Sequence, residues 1–207
     1  MHGRSAFCAR LKSWCSKGGE GEKGAMRVLP MICLGFLLGV IPLVWGCVNP
    51  EPPRNGMLFD FEEDAELDRF RWKCHSRFFL SQAYARHGKS SLEMSFFPTE
   101  QVGFSTGHVA HNWSPYLSLQ FFVYNPSEAS STLYIQISDD HTQGNPARAC
   151  TRELHVVPGE NKMVIPVAGL VDTTSRPLET DRIKGFYIYM KDIRIKRTLY
   201  FDFFRLI

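Results

Sequence analysis

A set of tyrosines and glutamines occupies the polar positions of strand-like segments, where apolar and polar residues alternate. The set comprises Gln120, Tyr124, Tyr134, Gln136, Tyr187 and Tyr189. A sheet surface of aromatic rings and amides suits a sugar, whose C–H faces stack on rings while its hydroxyl groups bond to amides. The alternative is that these tyrosines cover a wide sheet or a contact with a protein partner, since aromatic residues favour strands in any case. Glycan binding and assembly with an envelope protein through the same sheet face are therefore both open.

Three acidic residues lie within apolar strand sequence. Asp202 stands between Phe201 and Phe203 near the end of the chain, and Asp60 and Glu62 share one face of the first predicted strand. An ionised carboxylate in a buried strand must be paired, hydrogen-bonded or bound to a metal. Backbone amides of a neighbouring loop would satisfy Asp202 without any metal.

The residue types that enzymes use do not converge in any recognisable motif. There is no nucleophile elbow, no phosphate loop and no His-Glu-x-x-His pattern, and the histidines are scattered. Adjacent carboxylates such as Asp139 and Asp140 point to opposite faces of a strand. The sequence therefore predicts a protein that is not an enzyme.

The elements that must position these residues are short strands separated by turn residues. The predicted strands are Met57–Glu62, Arg69–Cys74, Arg77–Gln82, Ser91–Phe97, Leu117–Asn125, Thr132–Asp139, Glu153–Val157, Lys162–Val167, Phe186–Lys191 and Thr198–Leu206. Many alternate with period 2, and strong turn signals such as Asn125-Pro126 and Pro158-Gly159 separate them. No segment keeps a helical period for three turns, although Glu63–Leu67 and Val167–Asp172 could each form one helical turn.

This pattern predicts an all-β fold, an antiparallel β-sandwich whose core lies between two sheets. The predicted core residues are Leu119, Phe121, Val123, Leu133, Ile135, Ile137, Ile188 and Phe203. Trp113 is expected to be buried by packing.

Several segments of residues 57–207 resemble, in order and spacing, the galactose-binding-like jelly rolls to which many carbohydrate-binding modules belong. They are Leu58–Glu62, Ser81–Leu92, Tyr116–Pro126, Gly159–Pro166 and the closing strand Thr198–Leu206 with its single Asp. The resemblance implies a jelly-roll fold but specifies no ligand, because this fold hosts sugar binders, assembly modules and enzyme accessory domains. In this family the first and last strands lie close together and many members bind calcium there. The resemblance therefore implies a structural Ca²⁺ site that uses Asp60, Glu62 and Asp202.

The segment Val28–Gly46 is uncharged and apolar, and it is long enough to cross a bilayer. Its last three residues and the cysteine that follows, Val44-Trp-Gly-Cys47, resemble the lipobox of bacterial lipoproteins, although Trp45 departs from the usual small or aliphatic residue. The resemblance implies cleavage before Cys47 and attachment of lipid to its thiol. The alternative is an uncleaved membrane anchor, and in either case the rest of the chain is exported.

The predicted organisation follows from this signal. We expect translation to start at Met26, so that residues 1–25 are an over-extended reading frame. If they are made, they form a disordered basic leader on the cytoplasmic side. Residues 26–46 form the signal, 47–56 a lipidated Pro-rich tether, and 57–207 the sandwich domain. No acidic residue directly follows Cys47, which favours an outer-membrane or cell-surface location in the cell envelope. Most of the excess positive charge lies before the tether, so a nucleic-acid partner is not expected.

The exported domain keeps two cysteines, Cys74 and Cys150. In an oxidising compartment they could form one disulfide that closes a long loop. Two separate thiols are the alternative, because the sequence does not give the distance between their Cα atoms.

Overall fold

The computed structural model describes residues 56–207, and these form a β-sandwich of eleven antiparallel strands in two sheets. The predicted all-β fold is thus confirmed. The signal, the lipobox with Cys47 and the basic leader lie outside the described residues. Within residues 56–207, no helix is long and apolar enough to cross a membrane.

The first sheet has six strands, in the order β3-β4-β11-β6-β9, with β1 also paired to β11. Its strands are β1 (Met57–Phe59), β3 (Ser76–Ser81), β4 (Ser91–Phe96), β6 (Ser118–Asn125), β9 (Gly159–Pro166) and β11 (Arg197–Leu206). The last strand, β11, is central: β6 pairs along one edge, while β4 and then β1 pair along the other. The first and last strands are therefore neighbours, as the resemblance implied.

The second sheet has five strands, in the order β2-β5-β10-β7-β8. Its strands are β2 (Arg71–Trp72), β5 (Thr99–Thr106), β7 (Ser131–Asp139), β8 (Cys150–Val156) and β10 (Ile183–Ile193). Two short 3₁₀ helices, Asp64–Arg69 and Pro146–Arg148, connect elements of the fold. The first corresponds to the helical turn predicted at Glu63–Leu67. The segment predicted as a turn of helix at Val167–Asp172 contains no helix.

The core consists of the inward-facing residues of both sheets. Seven of the eight predicted core residues are fully buried, and Trp113 is also fully buried, with its indole N–H donating to the Ala110 carbonyl at 2.6 Å. Phe203 is the exception, because a β-bulge interrupts the alternation of β11 between Asp202 and Arg205. Phe203 has a positive φ and is half-buried, while Phe204 is fully buried in the core.

Candidate functional site

The six predicted ligand-binding residues lie on the outer faces of two different sheets. Tyr134 and Gln136 on β7 and Tyr187 and Tyr189 on β10 share the outer face of the five-stranded sheet. Tyr124 and Gln120 lie on β6, in the six-stranded sheet. The prediction of a single face is therefore wrong for Gln120 and Tyr124. A period of 2 tells which side of its own strand a residue occupies, but not which sheet the strand joins.

Three tyrosine rings on the five-stranded sheet form a continuous stack. Tyr187 and Tyr189 are two residues apart on β10, with ring centroids 4.6 Å apart and planes 11° apart. Tyr134 is paired with Tyr189 across β7 and β10, and their centroids are 5.3 Å apart. Tyr189, in the middle, is only 5% exposed, and burial raises the pKa of its phenol. The outer rings, Tyr134 and Tyr187, are half-buried. We call this arrangement the tyrosine stack.

A lysine contacts each of the two outer rings of the tyrosine stack. The Lys73 ammonium is 4.6 Å from the ring centroid of Tyr187, and that of Lys191 is 4.4 Å from the centroid of Tyr134. Both are at cation–π distance. The side-chain amide of Gln101 donates to the Tyr187 hydroxyl at 3.2 Å. Lys191 is also 5.6 Å from the ring centroid of Tyr189, so it lies along the side of the stack and not beyond its end.

Gly103 makes room for the buried ring of the stack. It lies directly across from Tyr189 on β5. A Cβ at this position would collide with the Ile188 carbonyl oxygen and would lie 2.7 Å from the Tyr189 Cβ. Glycine here lets the two strands pair closely beneath the stack.

An open cleft of about 760 Å³ adjoins the stack at Tyr187. Its floor is formed by outward-facing residues of the five-stranded sheet, including Gln136, Ser138 and Ser105, and Arg71 also lines it. The loop after β7 forms one wall, where the Gln136 side-chain amide donates to the Pro146 carbonyl at 3.1 Å. The cleft therefore combines the ring of Tyr187 with amide, hydroxyl and charged groups, which is the composition expected of a polar-ligand site.

One arginine fixes the loops on the β7 side of the cleft. Arg176 donates through both terminal nitrogens to Asp139, at 2.8 and 3.2 Å, and through Nε to Asp172 at 3.0 Å. It also donates to the carbonyls of Arg148 and Pro177. Burial raises the pKa of Asp139, but the hydrogen bonds from Arg176, the Glu179 amide and Thr142 outweigh it and lower the pKa to about 2.

The tyrosine on the six-stranded sheet is covered by a loop. Tyr84, in the loop between β3 and β4, stacks on Tyr124 with centroids 3.7 Å apart, and Tyr200 contacts Tyr84 edge-on. The Gln120 amide donates to Ser118 on its own strand at 3.0 Å. Tyr124 and Gln120 are thus engaged within the protein, and neither lines the cleft beside the tyrosine stack.

The three predicted metal ligands surround the same loop, and two of them, Asp202 and Glu62, accept hydrogen bonds from backbone N–H groups. Asp202 accepts from the backbone amides of Arg86, His87 and Phe203, at 2.5 to 2.8 Å. Glu62 accepts from the amides of Lys89 and Ser90, both at 2.8 Å.

Asp60 lies 3.6 Å from His87 Nδ1. Burial raises the pKa of Asp202 to about 6, against the lowering effect of its three amide donors. Within the described residues no group of three His, Cys, Asp or Glu side chains is placed to hold a metal ion. The N–H donors directed at the Asp202 and Glu62 carboxylates do not fit a bound cation. The calcium site remains a prediction from the family resemblance. A melting temperature that rises in millimolar Ca²⁺ relative to EGTA, and does not rise in Asp202→Asn, would support it.

The two cysteines of the domain are free thiols. Cys74 is exposed just after β2, and Cys150 is buried at the start of β8. These strands are the two outermost of the five-stranded sheet. Four strand spacings, about 19 Å, separate them, so a disulfide between the two is excluded by geometry.

Several residues that complete the tyrosine face are not among the predicted site residues. Lys73 lies in a predicted strand but not in the predicted site. The strand β5, which contributes Gln101, Gly103 and Ser105, is not among the predicted strands. The alternation of Val102, Phe104 and Thr106 was the available signal. Gly103 lies within this alternation and weakens the strand pattern, because glycine is unfavourable inside strands.

The fold is shared with solved structures of carbohydrate-binding modules. A family 11 carbohydrate-binding module from Clostridium thermocellum, in complex with a β-1,3-1,4-mixed-linked tetrasaccharide, has a TM-score of 0.56 and 14% identity, over 73% of this chain and 94% of the module. A xylan-binding domain of family 22 from Paenibacillus barcinonensis has a TM-score of 0.50 and 16% identity, over 74% of this chain and 97% of that domain.

An exo-β-agarase has a TM-score of 0.61 and 14% identity over 74% of this chain. The aligned part spans only 25% of the agarase. At these identities the likeness defines the fold class, a carbohydrate-binding-module-like jelly roll, and nothing finer. No family model matches the chain, and no curated protein matches it in sequence.

Proposed function

We propose that this protein is a non-catalytic glycan-binding lipoprotein whose ligand binds at the tyrosine stack and the adjoining cleft. The observation that carries the proposal is the position of Tyr187, which ends the stack and also lines the cleft. A sugar chain in the cleft would contact an aromatic ring and the hydroxyl and amide groups of Ser105, Ser138 and Gln136. The solved carbohydrate-binding modules of the same fold support this proposal.

The proposal includes export and a lipid anchor. The apolar segment Val28–Gly46 and the lipobox-like Val44–Cys47 are its support, as read from the sequence. Cleavage before Cys47 would leave the sandwich on the tether 47–56, and the absence of an acidic residue after Cys47 favours the outer membrane or cell surface. Membrane attachment through this lipid is the partner interaction that the sequence predicts.

A glycan array probed with the purified protein tests the binding proposal. We expect binding to a defined group of glycans that is about tenfold weaker in Tyr187→Ala, since loss of one stacking ring costs roughly 1.4 kcal/mol. Tyr84→Ala is the matched control, because Tyr84 is also a stacked tyrosine at the surface but lies over the other sheet. Its binding should equal that of the wild type.

The competing hypothesis is assembly with an envelope protein through the tyrosine face. An array on which the folded wild type binds nothing, together with a protein cross-linked at this face in cells, would replace glycan binding with assembly. Equal loss of binding in Tyr84→Ala and Tyr187→Ala would show that the tyrosine stack is not the binding site.

A further inference from the structure

The two lysines on the tyrosine stack are held by aromatic rings and not by carboxylates. Among the described residues, neither Lys73 nor Lys191 has an acidic side chain within 4.0 Å. Lys184, at the cleft beside the stack, is by contrast neutralised by Asp140 at 2.6 Å. The stack thus presents two positive charges that remain available to a ligand.

The position of these lysines favours some classes of sugar over others for stacking on the tyrosine rings. A neutral sugar that stacks on Tyr187 or Tyr134 from the side of the lysine must displace the ammonium, which lies 4.6 or 4.4 Å from the ring centroid. This displacement would lose a cation–π interaction. A sugar that carries an anion gains a charge-assisted hydrogen bond from the same ammonium without moving it.

The charges on this face are not evenly distributed. Arg71 lines the cleft on the same side as Lys73 and also has no carboxylate partner within the described residues. Glu153 on β8 is paired across strands with Tyr134, near the end that Lys191 covers. Asp68 also lines the cleft, but two cations, Lys73 and Arg71, lie at that end against this one carboxylate, so it is the more positive end.

We propose that the ligand of the tyrosine face is an acidic polysaccharide, whose carboxylate or sulfate groups are bound by Lys73 and Lys191. This inference rests on the proposed glycan binding and names the class of glycan. Lys73 contributes more than Lys191, because Glu153 offsets part of the charge at the second lysine.

Affinity measurements with the full-length chain test this proposal. The protein is solubilised in a polyoxyethylene detergent, which has neither charge nor sugar, and titrated with polygalacturonate, a sulfated galactan, a neutral β-glucan and agarose. We expect binding to at least one acidic polymer, tenfold or more tighter than to either neutral polymer, and a loss of that affinity between 50 and 500 mM NaCl. The two acidic polymers distinguish carboxylate from sulfate as the recognised group.

Three lysine variants locate the charge recognition. Lys73→Gln should weaken binding about tenfold and Lys191→Gln by less, with unchanged melting temperatures. Lys162→Gln is the control, since Lys162 is an exposed lysine on β9 of the other sheet, and its binding should be unchanged.

Two outcomes overturn the acidic-ligand proposal while leaving glycan binding intact. The first is equal affinity for neutral and acidic polymers that does not change in Lys73→Gln. The second is a loss of affinity in Lys162→Gln equal to the loss in Lys73→Gln, which would indicate non-specific charge attraction. Absence of binding to any polysaccharide, here and on the array, would overturn both proposals together.

Discussion

Single residues decide how the tyrosine face is built. Tyr189 can be buried between its neighbours only because Gly103 leaves space across the strand pair. At the opposite sheet, the bulge at Asp202 and Phe203 turns the Asp202 carboxylate toward the amides of the 86–87 loop while Phe204 returns to the core. Both features interrupt the regular alternation of a strand, so neither follows from hydrophobic periodicity.

We expect Gly103→Ala to destabilise the domain by roughly 2 kcal/mol or more, because the added methyl group collides with the backbone of β10. Glycan affinity should fall with it, since Tyr189 would be displaced. Urea unfolding followed by tryptophan fluorescence measures the first effect, and binding at a temperature where the variant is folded measures the second.

Gly107→Ala is the matched control for this substitution. Gly107 directly follows β5, and a Cβ there would lie 3.3 Å from the Lys184 carbonyl oxygen, a contact that a small shift relieves. Its cost should be clearly smaller. If the two alanine variants were equally stable, the close approach at Gly103 would not be needed for the fold.

At the scale of elements, the loops after β7 and before β10 depend on one buried ion-pair network. Asp139 is 1% exposed and accepts from Arg176, Thr142 and the Glu179 amide. The first loop joins β7 to β8 and helps to form the wall of the cleft, whereas the second joins β9 of the six-stranded sheet to β10. The network therefore links the stability of the loops to the shape of the site.

This network makes the stability of the domain depend on acid pH. The pKa of Asp139 is lowered from its ordinary value near 3.8 to about 2 in the folded protein. The folded state therefore gains stability above pH 4, and this gain is lost as the pH falls through 2. After allowance for solvent screening, the contribution is on the order of 1–2 kcal/mol.

Arg176→Gln should remove most of that pH dependence, because it leaves Asp139 without its cationic partner, and it should destabilise the domain at neutral pH. Chemical unfolding at pH 2, 4 and 7 measures both effects. Arg182→Gln is the control, since Arg182 is exposed and its nearest carboxylate oxygen is 3.8 Å away. If the free energy of unfolding depended on pH in the same way in the wild type and in Arg176→Gln, the pairing of Arg176 with Asp139 would not be the cause of the pH dependence.

The strands themselves were largely predictable, for a physical reason. In segments such as Leu117–Tyr124 and Thr132–Asp139, one face must be apolar to cover the core, so the alternation is strong and both strands form as predicted. β5 was not predicted, because its exposed face includes Gly103 and its buried face has only two large apolar residues, Val102 and Phe104. Its strand pairing with β10 is a tertiary effect that local sequence does not encode.

At the scale of the whole molecule, the division of strands between the sheets determines the site. Tyr124 and Tyr134 have the same local pattern, but β6 joins the six-stranded sheet and β7 the five-stranded one. The sequence predicts that both rings face outward, and they do. Which rings share a face depends on long-range strand order, and this is why four of the six predicted ligand residues converge while Gln120 and Tyr124 do not.

The proposed anchor determines where such a face would act. A sandwich attached through Cys47 and a short Pro-rich tether stays near the membrane surface, where polysaccharides of the envelope or the surroundings would be its ligands. This holds only if Cys47 is lipidated, so the proposed lipid attachment needs its own test.

We expect cells that make the full-length chain to incorporate a radioactive fatty acid into it, and to remove the segment before Cys47. Cys47→Ala should take up no label and should keep the apolar segment, because the thiol at this position is the acceptor that the lipobox resemblance implies. Cys74→Ala is the matched control, since Cys74 is an exposed free thiol in the folded domain. It should label like the wild type. A wild type without label, or a Cys47→Ala variant that labels equally, would show that the apolar segment acts as a plain membrane anchor and that the lipobox-like sequence is incidental.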